Sequence, residues 1–421
     1  ATPTRPSVYS NLRPTQTTQP PVRGGISTRG THLKVTGLGI EVMFYMSRNG
    51  DRKAPYVFLI AAVTPGSPAA KAGLQRGDLI SRVDGSVLTD DTLDTGWEKL
   101  MKTESGTVRL TRYDMATKQD SPDKISVTAA SYADNPVWKS KTVSTANGKK
   151  VGYLCYGSFN YNYDDELIEA FERFRDERID ELVLDLRYNG GGHVVSSAVL
   201  GTLVAGGAHK GDVYARTTYN DSRQHETADI YKLGEAQYND ASPNYRHDPI
   251  ATAILSAVGL SRIYVLCTDY TASASELLIN GLRGVGIDVR LIGSTTNGKN
   301  VGMEMQKKTF GDYEYEFSPI TFYIANGKGE SDYGSGFVPN VEVEQEFYFY
   351  KNSEGKFVGA DWGDEEHETL FQLALQWIET GSQPMPDYPQ AVATRGFQPM
   401  QLRSLAPVRV QDMLRLPASE E

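Results

Sequence analysis

Ser273 and Lys299 are the residues of this chain whose types and settings best suit chemistry on a carbonyl group, as a nucleophile and its base. A buried strand is predicted at 263–267, just before the serine, and apolar residues at helical spacing predict a helix just after it. Backbone N–H groups and the helix dipole at such a junction favour a developing negative charge. The sequence therefore predicts a nucleophilic serine with a lysine base.

A purely structural role for the same serine also fits. Ser273 and Glu276 form the pattern of a capping box, in which the serine accepts an amide hydrogen bond and the glutamate reaches back to the cap. On this run alone, the capping role and the catalytic role both stay open.

A second run, residues 185–192, ends in three consecutive glycines and follows a strand predicted at 182–186. Glycines permit close backbone approach and conformations that are closed to other residues. A tight turn explains one or two glycines, whereas three suit a loop that directs its amides at a substrate oxygen. This run adds weight to the catalytic interpretation of the serine.

Taken in order, these runs resemble those of the carboxyl-terminal processing, or tail-specific, serine peptidases. Members of that family carry the motifs L-D-L-R-x-N-x-G-G, S-A-S-E and G-K in the same order along the chain. The resemblance covers about residues 150–345. It implies that Ser273 is the nucleophile of an acyl-enzyme mechanism and Lys299 its general base. The oxyanion donors that it implies are the backbone N–H of Ala274 and that of a glycine among Gly190, Gly191 and Gly192.

Lys299 must be neutral to accept the serine proton, and a free lysine has a pKa of about 10.4. Lowering that pKa to about 7 requires a shift of roughly three units, which burial in an apolar pocket can supply. Val301 and Met303 follow the lysine, and few acids are close in sequence. The sequence therefore predicts a buried lysine with a lowered pKa.

The chain departs from the family at the place of a third catalytic residue. Some members carry a glutamine four residues after the lysine, where this chain has Met303, and others an aspartate near the position of Gly284. Asp288 and Gln306 are the nearest polar substitutes. We therefore predict a Ser-Lys dyad rather than a triad.

A Ser-His-Asp arrangement is the commoner alternative among hydrolases. The chain has six histidines but no G-x-S-x-G elbow beside which one of them could serve. His193 follows the three glycines, and we expect it to open the next helix and to contact substrate or water without taking a proton.

Composition limits the class of protein. The 421 residues are 39% hydrophobic and 23% charged, which predicts a soluble globular protein of two domains. A net charge of −10 without a basic stripe argues against nucleic-acid binding, and no apolar run is long enough to span a membrane. Cys155 and Cys267 are expected to be buried free thiols. No metal motif is present, so no metal and no cofactor is expected.

A second recognisable unit covers residues 34–128. Residues 67–73 predict a short helix with a serine N-cap, proline at its first position and glycine just past its end, and the turn-strand-turn pattern after it resembles a PDZ domain. The resemblance implies that a loop holds the terminal carboxylate of a peptide through its amides, and that the strand over 41–45 offers an edge to that peptide. The loop residues are Gly37, Leu38, Gly39 and Ile40.

The architecture predicted is α/β. Residues 129–379 should form the peptidase core, for which the resemblance implies a crotonase-like or ClpP-like spiral of ββα units rather than a doubly wound sheet. An insertion over 207–255 should border or cover the site. Residues 1–33 are expected to be a flexible linker and 380–421 a loosely packed tail.

Two functions from different classes remain. The first is a serine endopeptidase that captures polypeptides with free carboxyl termini in its PDZ groove and cuts them at Ser273. The second is a catalytically silent protein of the same fold that binds a peptide or a hydrophobic ligand. The resemblance also implies a periplasmic or cell-envelope location, with a lipid anchor in the precursor as one option.

Overall fold

The computed structural model describes residues 13–15, 34–48, 53–223, 229–236, 249–304, 306–310, 313–343 and 346–386. Of the linker predicted over 1–33, only Arg13–Thr15 belongs to this part of the chain. It forms strand β1, which pairs with a later strand over Tyr313–Phe317. The rest of that linker, the predicted tail from 387 onward, and 224–228 and 237–248 of the predicted insertion lie outside the described residues.

Residues 34–133 form a small antiparallel β-domain. Its strands are β2 (Lys34–Gly37), β3 (Ile40–Ser47), β4 (Tyr56–Val63), β5 (Leu79–Val83), β6 (Ser86–Val87), β7 (Thr107–Asp114), β8 (Gln119–Thr128) and β9 (Ala130–Ala133), and its helices are α1 (Pro68–Lys71) and α2 (Leu93–Lys102). The main sheet runs in the order β3-β4-β5-β7-β8, β6 pairs with β5, and β2 pairs with β9. Among the described strands, β3 is therefore an edge of this sheet.

The capped helix predicted after Ser67 is confirmed. The Ser67 hydroxyl accepts a hydrogen bond from the N–H of Ala70 at 3.3 Å, and Pro68 occupies the first helical position. Gly73 follows the helix with φ +81°, a left-handed conformation that glycine adopts without a steric penalty.

Strand β4 is buried on both faces of its sheet. Phe58 and Ile60 pack into the core of the small domain, whereas Leu59 and Ala61 belong to a cluster that also contains Trp362 of the larger domain. Side chains alternate between the faces of a strand, so the two sets point in opposite directions. The small domain is therefore docked onto the rest of the protein through the outer face of its own sheet.

Arg76 adds a second contact between the domains. Its guanidinium donates to the carbonyl of Ala61 at 2.7 Å and lies 4.0 Å from the ring centroid of Trp362 and 4.5 Å from that of Phe347. A guanidinium stacked on aromatic rings inside a protein is stabilised by cation-π attraction as well as by contact area.

The larger domain is the α/β unit that the sequence predicts. Its strands are β10 (Val137–Ser144), β11 (Lys150–Tyr156), β12 (Glu181–Asp185), β13 (Val213–Tyr219), β14 (Ile230–Lys232), β15 (Arg262–Cys267), β16 (Asp288–Gly293), β17 (Val301–Met303), β18 (Gln306–Phe310), β19 (Tyr313–Phe317), β20 (Ile320–Asn326), β21 (Val341–Glu342), β22 (Phe349–Lys351) and β23 (Phe357–Gly359). Its α-helices are α3 (Asp164–Glu177), α4 (Val194–Ala205), α5 (Pro249–Ala253), α6 (Ala274–Gly284) and α7 (Thr369–Thr380), and short 3-10 helices cover Tyr161–Tyr163, Gly207–His209 and Asp221–Arg223.

Two larger sheets form the centre of this domain, beside a small sheet in the order β1-β19-β18 and the pair β22-β23. The first has the order β10-β11-β12-β15-β16-β21 and is parallel from β11 onward, and the second has the order β14-β13-β20-β17 and is antiparallel. The carboxyl ends of parallel strands share one edge, so the loops after β12 and β15 meet there. These are the glycine run and the serine run of the sequence.

Apolar spacing in the sequence also predicts the stripe Leu370, Leu373, Ala374 and Trp377 of α7, and an N-cap at Asp164 or Asp165 for α3. The stripe of α7 is buried as expected, and the Glu368 carboxylate caps that helix by accepting the N–H of Phe371. The aspartate cap of α3 is wrong, because Tyr163 is the N-cap and Asp164 is the buried first residue of the helix.

Candidate active site

Ser273 lies at the turn between β15 and α6, as the sequence predicts, and it is the N-cap of α6. Its backbone has φ 60° and ψ −113°, a conformation that residues other than glycine rarely adopt. The residue is fully buried. Backbone strain of this kind collects at functional sites, where the surrounding structure has to hold it in place.

The Glu276 carboxylate joins the serine turn to the lysine loop. It accepts the N–H of Ser273 at 3.0 Å, that of Lys299 at 2.8 Å and that of Gly298 at 2.6 Å, and the Thr296 hydroxyl at 2.7 Å. The Ser273 and Lys299 amides share the same carboxylate oxygen. One buried glutamate therefore brings two chain segments together that are far apart in the sequence.

Glu276 is also the reaching-back partner of the predicted capping box, so the structural interpretation of the serine run is correct as well. Burial raises the pKa of the Glu276 carboxyl, and its hydrogen bonds from Thr296, Gly298, Lys299 and Ser273 act in the opposite direction. From sequence, the glutamate was assigned to the cap alone. Its contact with the lysine loop depends on tertiary structure.

Lys299 has the lowered pKa that the sequence predicts. Burial lowers the pKa of its ammonium to about 8, and the nearby Glu276 carboxylate partly opposes the shift. The amine therefore loses its proton about two units below the pKa of an ordinary lysine, which is about 10.4.

Met303, and not a polar third residue, lies beside the amine of Lys299. The Nζ atom of Lys299 lies 3.9 Å from the Met303 sulfur, a weak acceptor. Of the two polar substitutes considered, Asp288 is exposed at the first residue of β16, the opposite end of the sheet from the serine, and Gln306 is exposed at the start of β18. Neither position suits a group that orients Lys299.

The glycine loop lies directly against the serine. Gly191 has φ +108°, and a Cβ placed on it would come within 2.7 Å of the Ser273 Cβ and 2.8 Å of the Ala274 amide nitrogen. Gly192 has φ +138°, and a Cβ there would come within 2.1 Å of the Phe159 carbonyl oxygen. No other residue fits at either position without a shift of the backbone.

The hydrogen bonds of the loop narrow the choice of oxyanion donor. The Gly191 N–H donates to the Asn189 side-chain oxygen at 2.9 Å, so in this structure it is already engaged. If the predicted oxyanion donors are the Ala274 N–H and one glycine N–H, Gly190 and Gly192 are the two glycines left as candidates. Sequence patterns alone do not distinguish these two glycines.

Asn189 ties the glycine loop to the serine turn and was missed by sequence reasoning. Its carbonyl accepts the N–H of Ala272 at 3.1 Å and the hydroxyl of Ser275 at 2.9 Å, while its side-chain amide donates to the Tyr156 carbonyl. It is fully buried. The asparagine of the L-D-L-R-x-N run was the only available signal.

A buried ion cluster supports the end of β12, beneath this loop. Arg187 donates to the Asp185 carboxylate at 2.6 Å and to the Glu368 carboxylate at 2.6 Å, and all three residues are buried. Tyr153 donates its hydroxyl to the same aspartate at 2.7 Å. Buried charges persist when they are paired and hydrogen-bonded, so the cluster holds the start of the glycine loop in one place.

His193 opens α4 as predicted, being its N-cap residue. Its Nδ1 lies 3.0 Å from the Phe159 carbonyl oxygen, and its ring meets the edge of the Tyr161 ring with centroids 4.6 Å apart. The histidine is therefore a neighbour of the glycine loop.

The loop predicted to hold a carboxylate lies at the start of the edge strand β3. The Leu38 carbonyl accepts the N–H of Ala69 at 2.8 Å, and the Gly39 carbonyl accepts that of Thr64 at 2.9 Å. Gly39 has φ +82°, and a Cβ on it would come within 2.1 Å of the Ser67 Cβ. The carbonyls of the loop are thus fixed against α1 and the turn before it.

The remaining expectations concern metals, membranes and thiols. Within the ranges described above, no group of three or more His, Cys, Asp or Glu residues is arranged to hold a metal ion. In the same ranges, no helix has the length and apolarity that crossing a bilayer requires. Cys155 and Cys267 are buried free thiols, as predicted.

Comparison with known proteins shows which protein families the two domains resemble. Residues 150–343 match the model of peptidase family S41, and residues 59–111 match that of the PDZ domain. Over these two stretches the chain is similar to the S41 serine peptidases and to PDZ domains, and its core has the S41 fold.

Individual relatives agree with this assignment. A carboxyl-terminal-processing protease of Picosynechococcus is 28% identical over 297 residues, 70% of this chain and 58% of the relative. Carboxyl-terminal-processing peptidase 2, chloroplastic, of Arabidopsis thaliana is 30% identical over 169 residues, 39% of this chain and 31% of the relative. A crystal structure assigned to an S41 protease of Bacteroides fragilis superposes with a TM-score of 0.65 at 26% identity, covering 89% of this chain and 87% of that one. The chain spans about half the length of the curated relatives it matches.

Proposed function

We propose that this protein is a serine endopeptidase that works through a Ser-Lys dyad and an acyl-enzyme. The observation that carries the proposal is the Glu276 carboxylate, which accepts the backbone N–H groups of both Ser273 and Lys299 at a turn packed against Gly191. A helix cap needs only the first of these bonds. Joining a strained serine to a lysine of lowered pKa is what a nucleophile and its base require.

The proposed reaction begins when the neutral Nζ of Lys299 takes the hydroxyl proton of Ser273. The serine oxygen then attacks the substrate carbonyl, and the Ala274 N–H and one glycine N–H stabilise the oxyanion. The lysine ammonium returns its proton to the leaving amine, so the peptide bond breaks and the acyl-enzyme forms. A water molecule then gives a proton to the neutral lysine and attacks the ester carbonyl; the bond to the serine oxygen breaks, the lysine returns the proton to that oxygen, and the acid is released.

The silent binding protein is the second candidate, and Met303 is the observation that favours it. A thioether 3.9 Å from Nζ orients the lysine more weakly than an amide oxygen would. In that case the same site would bind a ligand without activating the serine.

Labelling with a fluorophosphonate separates the two candidates, because it reports an activated serine without requiring the physiological substrate. We expect stoichiometric labelling of the wild-type protein, with the adduct mapped to Ser273 by mass spectrometry. Heat-denatured protein is the control. A folded protein that takes up no label at Ser273 would establish the silent alternative.

The proposed substrates are polypeptides with free carboxyl termini, captured by the PDZ domain. Strand β3 is an edge of its sheet, and added peptide strands bind at such edges through main-chain hydrogen bonds. A loop leads into that edge and would offer its N–H groups to the terminal carboxylate; its residues are Gly37, Leu38, Gly39 and Ile40. We also propose an exported protein of the periplasm or cell envelope.

Capture of the carboxylate predicts that amidation of a substrate's terminus weakens its binding. We expect the Kd to rise about tenfold or more, because a charge-assisted hydrogen-bonded contact is lost. Peptide binding is measured by fluorescence anisotropy, and cleavage of a short substrate that cannot reach both domains is measured beside it. The short substrate should be indifferent to amidation.

The same loop can be tested from the protein side with a matched pair of variants. Gly39→Ala introduces a Cβ at φ +82° against Ser67, whereas Gly73→Ala introduces one at φ +81° with nothing within 4 Å. Both carry the strain of a left-handed alanine, but only the first distorts the loop. Equal binding of free and amidated peptides would show that the loop does not recognise the carboxylate.

A further inference from the structure

Strand β3 uses its two faces for different domains. Met43 belongs to the core of the small domain, whereas Phe44 and Met46 belong to the cluster that the two domains share. Phe44 is only 2% exposed. A side chain of the PDZ-like domain is therefore buried against the larger domain on the strand that leads away from the proposed carboxylate loop.

The ring of Phe44 is in contact with two tyrosines of the larger domain. Its centroid lies 5.7 Å from that of Tyr188, at an interplanar angle of 66°, and 6.0 Å from that of Tyr270, at 55°. The two tyrosine rings are 6.3 Å apart at 75°. Edge-to-face and tilted pairs at these separations are attractive through their ring quadrupoles, so the three aromatic residues form a closed triangle.

The two tyrosines stand at the entrances of the two segments that form the candidate site. Tyr188 directly precedes Asn189, whose side chain accepts the Gly191 N–H. Tyr270 directly precedes the turn that ends at Ser273. The segments are joined to each other beyond the tyrosines by the hydrogen bond from Ala272 to the Asn189 carbonyl. Phe44 thus contacts the tyrosine that precedes each of the two segments that would supply the oxyanion donors, namely the glycine loop and the serine turn.

We propose that Phe44 is a positioning residue for the peptidase reaction and that the PDZ domain completes the active site through it. The inference rests on the proposed function, and it adds a residue of a second domain to the site. Phe44 touches no reacting atom. It fixes the spacing of the glycine loop and the serine turn through Tyr188 and Tyr270, and oxyanion donors act only when they are held at the right place.

The first test replaces Phe44 by leucine and measures a short peptide p-nitroanilide that is too small to occupy the PDZ groove. We expect kcat to fall about tenfold to a hundredfold with KM little changed, because the loss is in the alignment of donors and not in ground-state binding. Tyr113→Leu is the matched control. Tyr113 is a buried aromatic residue of the same interdomain cluster, and its ring lies under the Arg48 guanidinium at 5.2 Å.

The second test approaches the triangle from the larger domain, so it does not depend on Phe44→Leu being stable. Tyr270→Leu should slow labelling by a fluorophosphonate about as much as Phe44→Leu does, and Tyr270→Phe should restore the rate, because the ring and not the hydroxyl makes the contact. The double variant Phe44→Leu with Tyr270→Leu should be no slower than either single variant, because both substitutions break the same set of ring contacts. Thermal melts are recorded for every variant.

The outcomes separate this inference from the proposed function. Absence of wild-type labelling at Ser273 would contradict the proposed function. Wild-type labelling with an unchanged rate in folded Phe44→Leu would overturn the positioning role alone. Equal losses in Phe44→Leu and Tyr113→Leu would also overturn it, because they would point to general loosening of the domain contact. If the loss of labelling rate in the double variant equals the product of the two single losses, Phe44 and Tyr270 act independently and the proposed chain of contacts is wrong.

Discussion

Replacing Ser273 by alanine should reduce proteolysis of an unfolded test protein to background. Loss of a serine nucleophile in an enzyme of this kind costs on the order of a hundred-thousandfold or more in kcat, because no other group can form the acyl-enzyme. The change keeps the Cβ, and the N–H of residue 273, which donates to the Glu276 carboxylate, belongs to the backbone and is kept as well. We therefore expect a folded protein, checked by its thermal melt, that neither cleaves substrate nor takes up a fluorophosphonate.

Ser275→Ala is the matched control, one residue into the same helix. The Ser275 hydroxyl donates to the Asn189 carbonyl, which also accepts the Ala272 N–H, so the carbonyl keeps a partner in the variant. We expect a loss of stability of about 1 kcal/mol and retention of most of the activity. The reverse result, with Ser275→Ala inactive and Ser273→Ala active, would mean that the nucleophile is misassigned.

Replacing Lys299 by arginine should abolish activity even though the positive charge is retained. Arginine cannot lose its proton in the working range of an enzyme, so the variant lacks a base. Loss of a general base costs about a hundredfold to ten-thousandfold, and a buried guanidinium beside the serine should move the effect to the upper end. The measurement is kcat/KM for a short ester substrate, with circular dichroism to verify the fold.

The pH profile of the wild type tests the same assignment. Only the neutral amine can accept a proton, and its fraction grows as pH rises through the pKa, which burial lowers to about 8. Activity should therefore rise with pH, reach half its plateau near pH 8 and stay high above that. Activity in Lys299→Arg, or a midpoint near 6.5 in the wild type, would instead point to a histidine, beginning with His193.

Part of the site could be predicted because its signals are local. The order strand, serine, helix follows from apolar spacing on either side of Ser273, and the capping role of Glu276 follows from its position three residues further on. The helix that begins after Ser67 was predictable for the same reason, since caps depend on neighbouring residues. The three glycines predicted that the backbone passes close to another segment of the chain, but not which segment that is.

Other parts could not be predicted because they depend on which distant residues meet. Nothing near Glu276 in the sequence shows that its carboxylate also accepts the Lys299 N–H. Nor does sequence show that the Gly191 N–H is occupied by Asn189, or that Phe44 of the small domain lies against Tyr270.

By itself, the sequence predicted the resemblance to the S41 peptidases, the α/β core with its PDZ domain, and the candidate residues for the chemistry, because residue type and short-range spacing encode these properties. Tertiary structure decided how the site is assembled. It brought the lysine loop to the serine turn through one buried carboxylate, lowered the lysine pKa by burial, and placed Phe44 of the small domain against the tyrosines that precede the glycine loop and the serine turn. Desolvation and contact exist only between segments that the fold has brought together, so no local pattern could reveal them.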